Sequence, residues 1–230
     1  MRLAIVSDIH DNLWTLRAAL QWLDDTDAMI VCGDLCSPFV MERLAAGFHG
    51  PIHCVFGNND GDLFRITATA ARFAHVKLWG AFADIPPDLM DGKRVAVTHY
   101  PEIAHAVAAS GIYDLVCYGH SHRLEWGRVG RTVTINPGEL MGGLTGLATF
   151  VVYDTAREDV AAYEVSYVQF GRRDDSGDTD GPTSSADASA DASAPVSPGE
   201  RRAAEPPADG ERAVVRRREA GAGAGASPPG

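Results

Sequence analysis

Asp8-Ile9-His10, Gly33-Asp34, Gly57-Asn58-Asn59-Asp60, His99 and Gly119-His120-Ser121-His122 set carboxylate, amide and imidazole groups at five points along the chain. Oxygen and nitrogen donors mixed in this way suit Mn²⁺, Fe, Zn²⁺, Ni²⁺ or Co²⁺ better than Ca²⁺. Taken singly, most of these groups say little. An Asp-x-His pair is common on surfaces, and a Gly-Asp turn often follows a strand. Asn58 after Gly57 fits a left-handed turn, and His99 alone reads as a hydrogen-bonded histidine at a strand end. The His-x-His of residues 120 and 122 is more specific, since two imidazoles so spaced suit one or two metals. What joins the five is context: each directly follows a short apolar run, at residues 3–7, 29–32, 54–56, 95–98 and 115–118. Four of the eight histidines stand at such ends. The other four, His49, His53, His75 and His105, read as structural or solvent-facing. The outline is that of a dinuclear metal site.

To bring these residues together, the apolar runs must be strands of a sheet. Short apolar runs bounded by turn residues read as buried strands, and where strands alternate with helices ligand sites gather beyond the carboxyl ends of the strands. The pattern predicts strands near 2–7, 28–32, 52–56, 76–79, 93–98, 114–118, 125–129, 132–135, 147–153 and 160–168. Helices are expected over about 13–24, 38–47 and 102–110, with another opening at Asp60-Gly61-Asp62 and running to about residue 74. Asp11 or Asn12 would cap the first helix, Pro38 suits a first turn, and Gly130-Arg131 marks a hairpin. Side-chain alternation along an extended segment would put Asp8 and His10 on one side. A β-α-β-α-β-α first half followed by a β-meander suits two packed sheets with helices on their outer faces.

Composition sets the limits. Residues 1–170 hold enough apolar side chains for a core, whereas 171–230 are Gly, Ser, Ala, Pro, Asp, Glu and Arg with few exceptions. Such a segment cannot offset its ordering entropy and reads as a disordered low-complexity tail. The net charge is −11, and both parts are acidic, which argues against nucleic acid as a partner. The four cysteines, Cys32, Cys36, Cys54 and Cys117, include no C-x-x-C pair, and three fall in predicted buried strands. That pattern fits reduced thiols and a cytoplasmic location. A strand beginning at Arg2 leaves no room for a secretory leader, and no apolar stretch approaches the ~18 residues of a membrane span.

Together these motifs resemble the signature of the calcineurin-like metallophosphoesterases, over about residues 1–168, and the short length is similar to the family's small single-domain phosphodiesterase branch. The resemblance implies an α/β four-layer α-β-β-α sandwich of two mixed sheets. It implies one divalent ion held by Asp8, His10 and His122, a second by Asn58, His99 and His120, and Asp34 bridging them, with Mn²⁺ the leading metal. The activity implied is hydrolysis of a small phosphodiester by a hydroxide that bridges the two ions. Many members carry His at the position of Asn59, where it assists the leaving group. An amide cannot donate a proton as an acid, so Asn59 and its neighbour Asp60 are catalytic candidates of altered character, and Asp60 serves equally well as a helix N-cap. Asn12 reads as a cap beside the site, and Asn136-Pro137-Gly138 as a turn near it. A scaffold of the same fold that binds a protein partner is the alternative, although all seven ligand positions are filled. A nuclease would want a basic stripe, and a polyphosphate hydrolase would want arginines beyond Arg123.

Overall fold

The computed structural model describes residues 1–169 and 211–218. Strands β1 (Arg2–Val6), β2 (Ala28–Val31), β3 (Ile52–Cys54) and β4 (Val76–Leu78) alternate with helices α1 (Leu13–Leu20), α2 (Pro38–Gly47) and α3 (Leu63–Ala70). Then come β5 (Phe82–Ile85), a 3₁₀ turn at Pro87–Leu89, β6 (Val95–Thr98), α4 (Pro101–Ala109) and β7 (Leu115–Cys117). Strands β8 (Leu124–Val129), β9 (Thr132–Pro137), β10 (Ala148–Asp154), β11 (Asp159–Gln169) and β12 (Glu211–Arg217) complete the order.

Two sheets form, ordered β12-β11-β10-β1-β2-β3-β4 and β5-β6-β7-β9-β8. β1 to β4 are parallel neighbours, as are β6, β7 and β9, and the remaining pairs are antiparallel. The alternation of side chains along β1 shows how the layers stack. Leu3 and Ile5 enter a core shared with Val95, Val97, Leu115 and Cys117 of the second sheet. Ala4 and Val6 face the opposite way, toward Leu16, Leu20, Met41, Leu44 and Ile66 of the first three helices. Ala104 and Ala108 of α4 cover the far side of the second sheet over Ala96 and Val116. The result is the α-β-β-α sandwich of two mixed sheets. No helix among the described residues is long and apolar enough to cross a membrane.

Three boundaries differ from the sequence reading. α1 stops at Leu20 because turns take over at Gln21 and beyond. α3 starts at Leu63, and its N-cap is Asp62, whose side chain accepts from the Arg65 N–H; Asp60 is not the cap. The third concerns the low-complexity tail, within which Glu211–Arg217 forms β12, antiparallel to β11 with Val165 opposite Val215. Composition misleads here because a strand added to an existing edge uses backbone hydrogen bonds and needs little core of its own. Among its described side chains Val215 is buried, against the cluster under α1. The rest of the tail lies outside the described residues.

Candidate metal centre

The ligand-bearing residues leave their strands through turns with unusual backbone. Asp8 (φ 52°), His10 (φ 42°), Asp34 (φ 54°), His120 (φ 68°) and His122 (φ 60°) all adopt left-handed conformations. Non-glycine residues seldom do so, and such strain gathers at functional sites. β1 ends at Val6, so Asp8 and His10 share a side because both are left-handed turn residues, not because an extended strand alternates. Glycines permit the crowding. A Cβ at Gly33, itself at φ +100°, would meet the Gly57 nitrogen at 2.7 Å and His99 Nδ1 at 2.9 Å. One at Gly119 would sit 1.9 Å from Ser7 Oγ.

The turns converge. His122 Nε2 lies 3.3 Å from Asp8 Oδ1. His10 Nε2 lies 3.5 Å from Asp34 Oδ2 and 3.7 Å from Asp8 Oδ1. His99 Nε2 is 3.4 Å from Asp34 Oδ2 and 3.0 Å from Asn58 Oδ1. Asp8, His10 and His122 form one group able to hold a metal ion, and Asp8, Asp34 and His99 another. His120 flanks the second group: its ring centroid is 5.1 Å from that of His99, and its backbone N–H donates to Asp8 Oδ2. The seven predicted ligand residues thus meet at one edge shared by both sheets.

Three of the imidazoles, His10, His99 and His122, turn Nε2 inward by engaging Nδ1 elsewhere, a contact that sets which nitrogen is free for a metal. His99 Nδ1 lies 2.8 Å from the Cys32 carbonyl. His122 Nδ1 lies 2.7 Å from Glu139 Oε2. His10 Nδ1 faces the Asn59 amide at 3.0 Å and Cys36 Sγ at 3.4 Å. Asn59 therefore stands beside a ligand, and its backbone N–H donates to Asp34 Oδ1 at 2.7 Å. Asp60 accepts from the N–H groups of Asp34, Leu35, Cys36 and Gly57, at 2.7–3.2 Å, which pins the β2 and β3 turns together. Asn12 caps α1 through Thr15 N and donates to the Met141 carbonyl. Asn136 donates to the Gly119 carbonyl and to Ser121 Oγ, bracing the His-x-His turn.

Sequence reasoning missed Glu139 and Cys36. Glu139 directly follows Asn136-Pro137-Gly138, so an acid beside a turn already placed near the site was the available signal. Cys36 had none.

Charge follows the same geometry. Burial raises the Asp34 pKa, but the His99 imidazole, the Asn59 N–H and the charge of His10 outweigh it and leave the carboxyl below its ordinary value. Burial lowers His99, and Asp34 with Asp8 outweighs it upward. Glu139 raises His122 against burial. Burial pushes Glu139 up, yet His122, Thr145 and the Leu144 N–H bring it net below normal. Burial, reinforced by Asp11, Asp34 and Asp60, pushes the Cys36 thiol up to about 12.

The residues fit divalent cations. Asp8 Oδ1 and His10 Nε2 are buried without a hydrogen-bond partner, as is Thr98 Oγ1 one residue before His99. Two buried carboxylates, Asp8 and Asp34, meet imidazoles and backbone N–H groups, with no Lys or Arg ion pair to either among the described residues. Buried charge of this density needs a compensating cation.

Residues 1–158 match the calcineurin-like phosphoesterase superfamily domain. The chain is 30% identical over 163 residues to phosphodiesterase MJ0936 of Methanocaldococcus jannaschii, covering 69% of this chain and 96% of that protein. Among solved structures, a novel archaeal phosphodiesterase aligns with TM-score 0.66 and 28% identity over 71% of this chain and 99% of its own. Vps29 of Entamoeba histolytica complexed with Zn²⁺ aligns with TM-score 0.52 and 17% identity, over 72% of this chain and 92% of its own. That last likeness is one of fold.

Proposed function

Because this chain belongs to the calcineurin-like phosphoesterase superfamily, we propose that it is a dinuclear-metal phosphodiesterase acting on a small phosphodiester. The observation that carries the reading is the convergence of three inward Nε2 atoms on Asp8 and Asp34, with Asp8 Oδ1 and His10 Nε2 buried and without a hydrogen-bond partner. We assign Asp8, His10 and His122 to one ion, Asn58, His99 and His120 to the other, and Asp34 to both. When bound, two divalent ions, Mn²⁺ foremost, clamp phosphoryl oxygens and lower the pKa of water. The chain's own residues supply the rest. Asp60 holds the turn that carries Asp34, the Cys32 carbonyl and Glu139 fix the His99 and His122 imidazoles, and the Asn59 amide meets His10 Nδ1. Lacking an acid at position 59, the site favours diesters whose leaving group departs without a proton. The relative named as a phosphodiesterase supports a diester over a monoester. The four free cysteines support a cytoplasmic location.

The test is hydrolysis of bis-p-nitrophenyl phosphate beside p-nitrophenyl phosphate, after metal stripping and Mn²⁺ readdition, with Asp34→Asn and His99→Ala alongside. Metal-restored diester cleavage should fall by about 100-fold or more in both variants, beyond the usual cost of losing a ligand's supporting partner. Folded native protein with no turnover under any divalent metal overturns the reading and turns attention to protein partners.

A further inference from the structure

Among the three imidazoles that point Nε2 inward, only His122 rests on a carboxylate. Glu139 is completely buried. Its Oε2 accepts from His122 Nδ1 at 2.7 Å, and its Oε1 accepts from the Leu144 N–H (2.9 Å), the Thr145 N–H (2.6 Å) and Thr145 Oγ1 (2.7 Å). One side chain therefore holds a metal-ligand candidate through Oε2, which the Leu144 N–H also reaches at 3.3 Å, and a surface loop chiefly through Oε1. The loop is built to depend on it. Gly142 and Gly146 bracket Leu144 and Thr145 with positive φ, and Leu144 is exposed. At its near end the loop is tied to the metal turn, since the Met141 N–H donates to the Asp8 carbonyl and Asn12 Nδ2 to the Met141 carbonyl. From Glu139 onward the loop is folded back by the Glu139 carboxylate, by the Thr149 N–H on the Glu139 carbonyl and by Thr145 Oγ1 against the Leu147 backbone.

We propose that Glu139 is a positioning residue that couples closure of the 142–147 loop to metal occupancy at Asp8, His10 and His122. An imidazole that ligates through Nε2 must carry its proton on Nδ1 and donate it, here to Glu139. Metal binding thus fixes the Glu139 carboxylate in the orientation that receives the loop. By reciprocity, a closed loop orients His122 for the ion and raises affinity by the same factor. The loop is tied to the Asp8 turn through Met141, so the metal-loaded enzyme holds it formed beside that turn and the stripped enzyme holds it loosely. The inference rests on the metal-centre reading above.

The test uses the full chain and Mn²⁺ as probe, with two readouts: metal affinity by calorimetry, and amide hydrogen exchange of Leu144 and Thr145. In the native chain Mn²⁺ should slow exchange at both amides severalfold. Glu139→Gln, which keeps the size and one acceptor oxygen, should weaken Mn²⁺ binding about 10- to 100-fold and abolish the effect on exchange. Thr145→Ala is the sharper variant, because Thr145 touches no ligand and its loss leaves the carboxylate in place. It should speed loop exchange and still weaken Mn²⁺ binding, by roughly 5-fold, at the low end of coupling factors. Faster exchange with unchanged Mn²⁺ affinity in Thr145→Ala overturns the coupling, as does native exchange indifferent to Mn²⁺ that is bound. A native chain that binds no Mn²⁺ overturns both this inference and the metal-centre reading, and is told apart by the calorimetry alone.

Discussion

Asp60 sits where a helix cap would be expected, yet its carboxylate gathers four backbone N–H groups from two different turns. Asp60→Asn replaces one acceptor oxygen by a donor that faces those N–H groups. It should cost about 3 kcal/mol, on the scale of hydrogen bonds to a charged group, read as a lower urea midpoint, with metal affinity falling too. At Asn59 the expected change has the opposite sign. Asn59→His places an acid-capable ring beside His10 and should raise turnover of diesters with poor leaving groups by up to ~100-fold. Activated nitrophenyl diesters should change little, so the ratio of the two rates is the measurement. The seven residues proposed as ligands could be picked out in the sequence because a ligand candidate is recognised by its side-chain type. Asp60 and Glu139 could not, since what they do depends on where backbone N–H groups point, and left-handed turns at Asp34 and Gly142 decide that.

The elements behind those residues obey simpler rules, and most were legible. Apolar runs became strands, and Asn12 and Pro38 open the helices as their chemistry suggests. The turns after the strands were not, because nothing in Asp-Ile-His announces φ of +52° and +42°. Gly119 tests how tight these turns are. Its added methyl would strike Ser7 Oγ and Asp8 Oδ2 across the seam between sheets, so Gly119→Ala should destabilise by about 2 kcal/mol through overpacking, measured by thermal melting. β3 offers a pH probe away from the metals. His53 is buried and accepts from Trp79 Nε1, and burial with nearby Lys77 lowers its pKa from 6.5 to about 4. Folded His53 stays neutral where the unfolded chain takes up a proton. Its contribution is therefore fully present above about pH 6.5 and lost as pH falls toward 4. In His53→Gln, the slope of unfolding free energy against pH near 5 should drop by close to one proton.

At the scale of the molecule, the first sheet is longer than the matched family domain, since β12 lies well beyond residue 158. It covers the β11 edge, buries Val215 and pairs Arg217 with Asp159 and Arg218 with Glu164. A chain ended at residue 170 should lose about 2 kcal/mol, the burial of one valine, and should self-associate through the exposed edge, as light scattering would show. Mn²⁺ affinity should be unchanged, because no ligand lies on β10 to β12. The acidic balance and the four-layer order were both legible from composition and pattern. The added strand was not, because so few of its side chains are apolar.

The proposed ligands come from three strand ends of one sheet and two of the other. A guest that touches both halves of a host reports, through mass action, on whether the halves are together. Every tenfold rise in free metal above its dissociation constant should add about 1.4 kcal/mol to the folded state for each site filled. The melting temperature of this protein then becomes a titration of its own centre. A plot of stability against the logarithm of metal concentration would count bound ions by its slope, with no substrate in the tube.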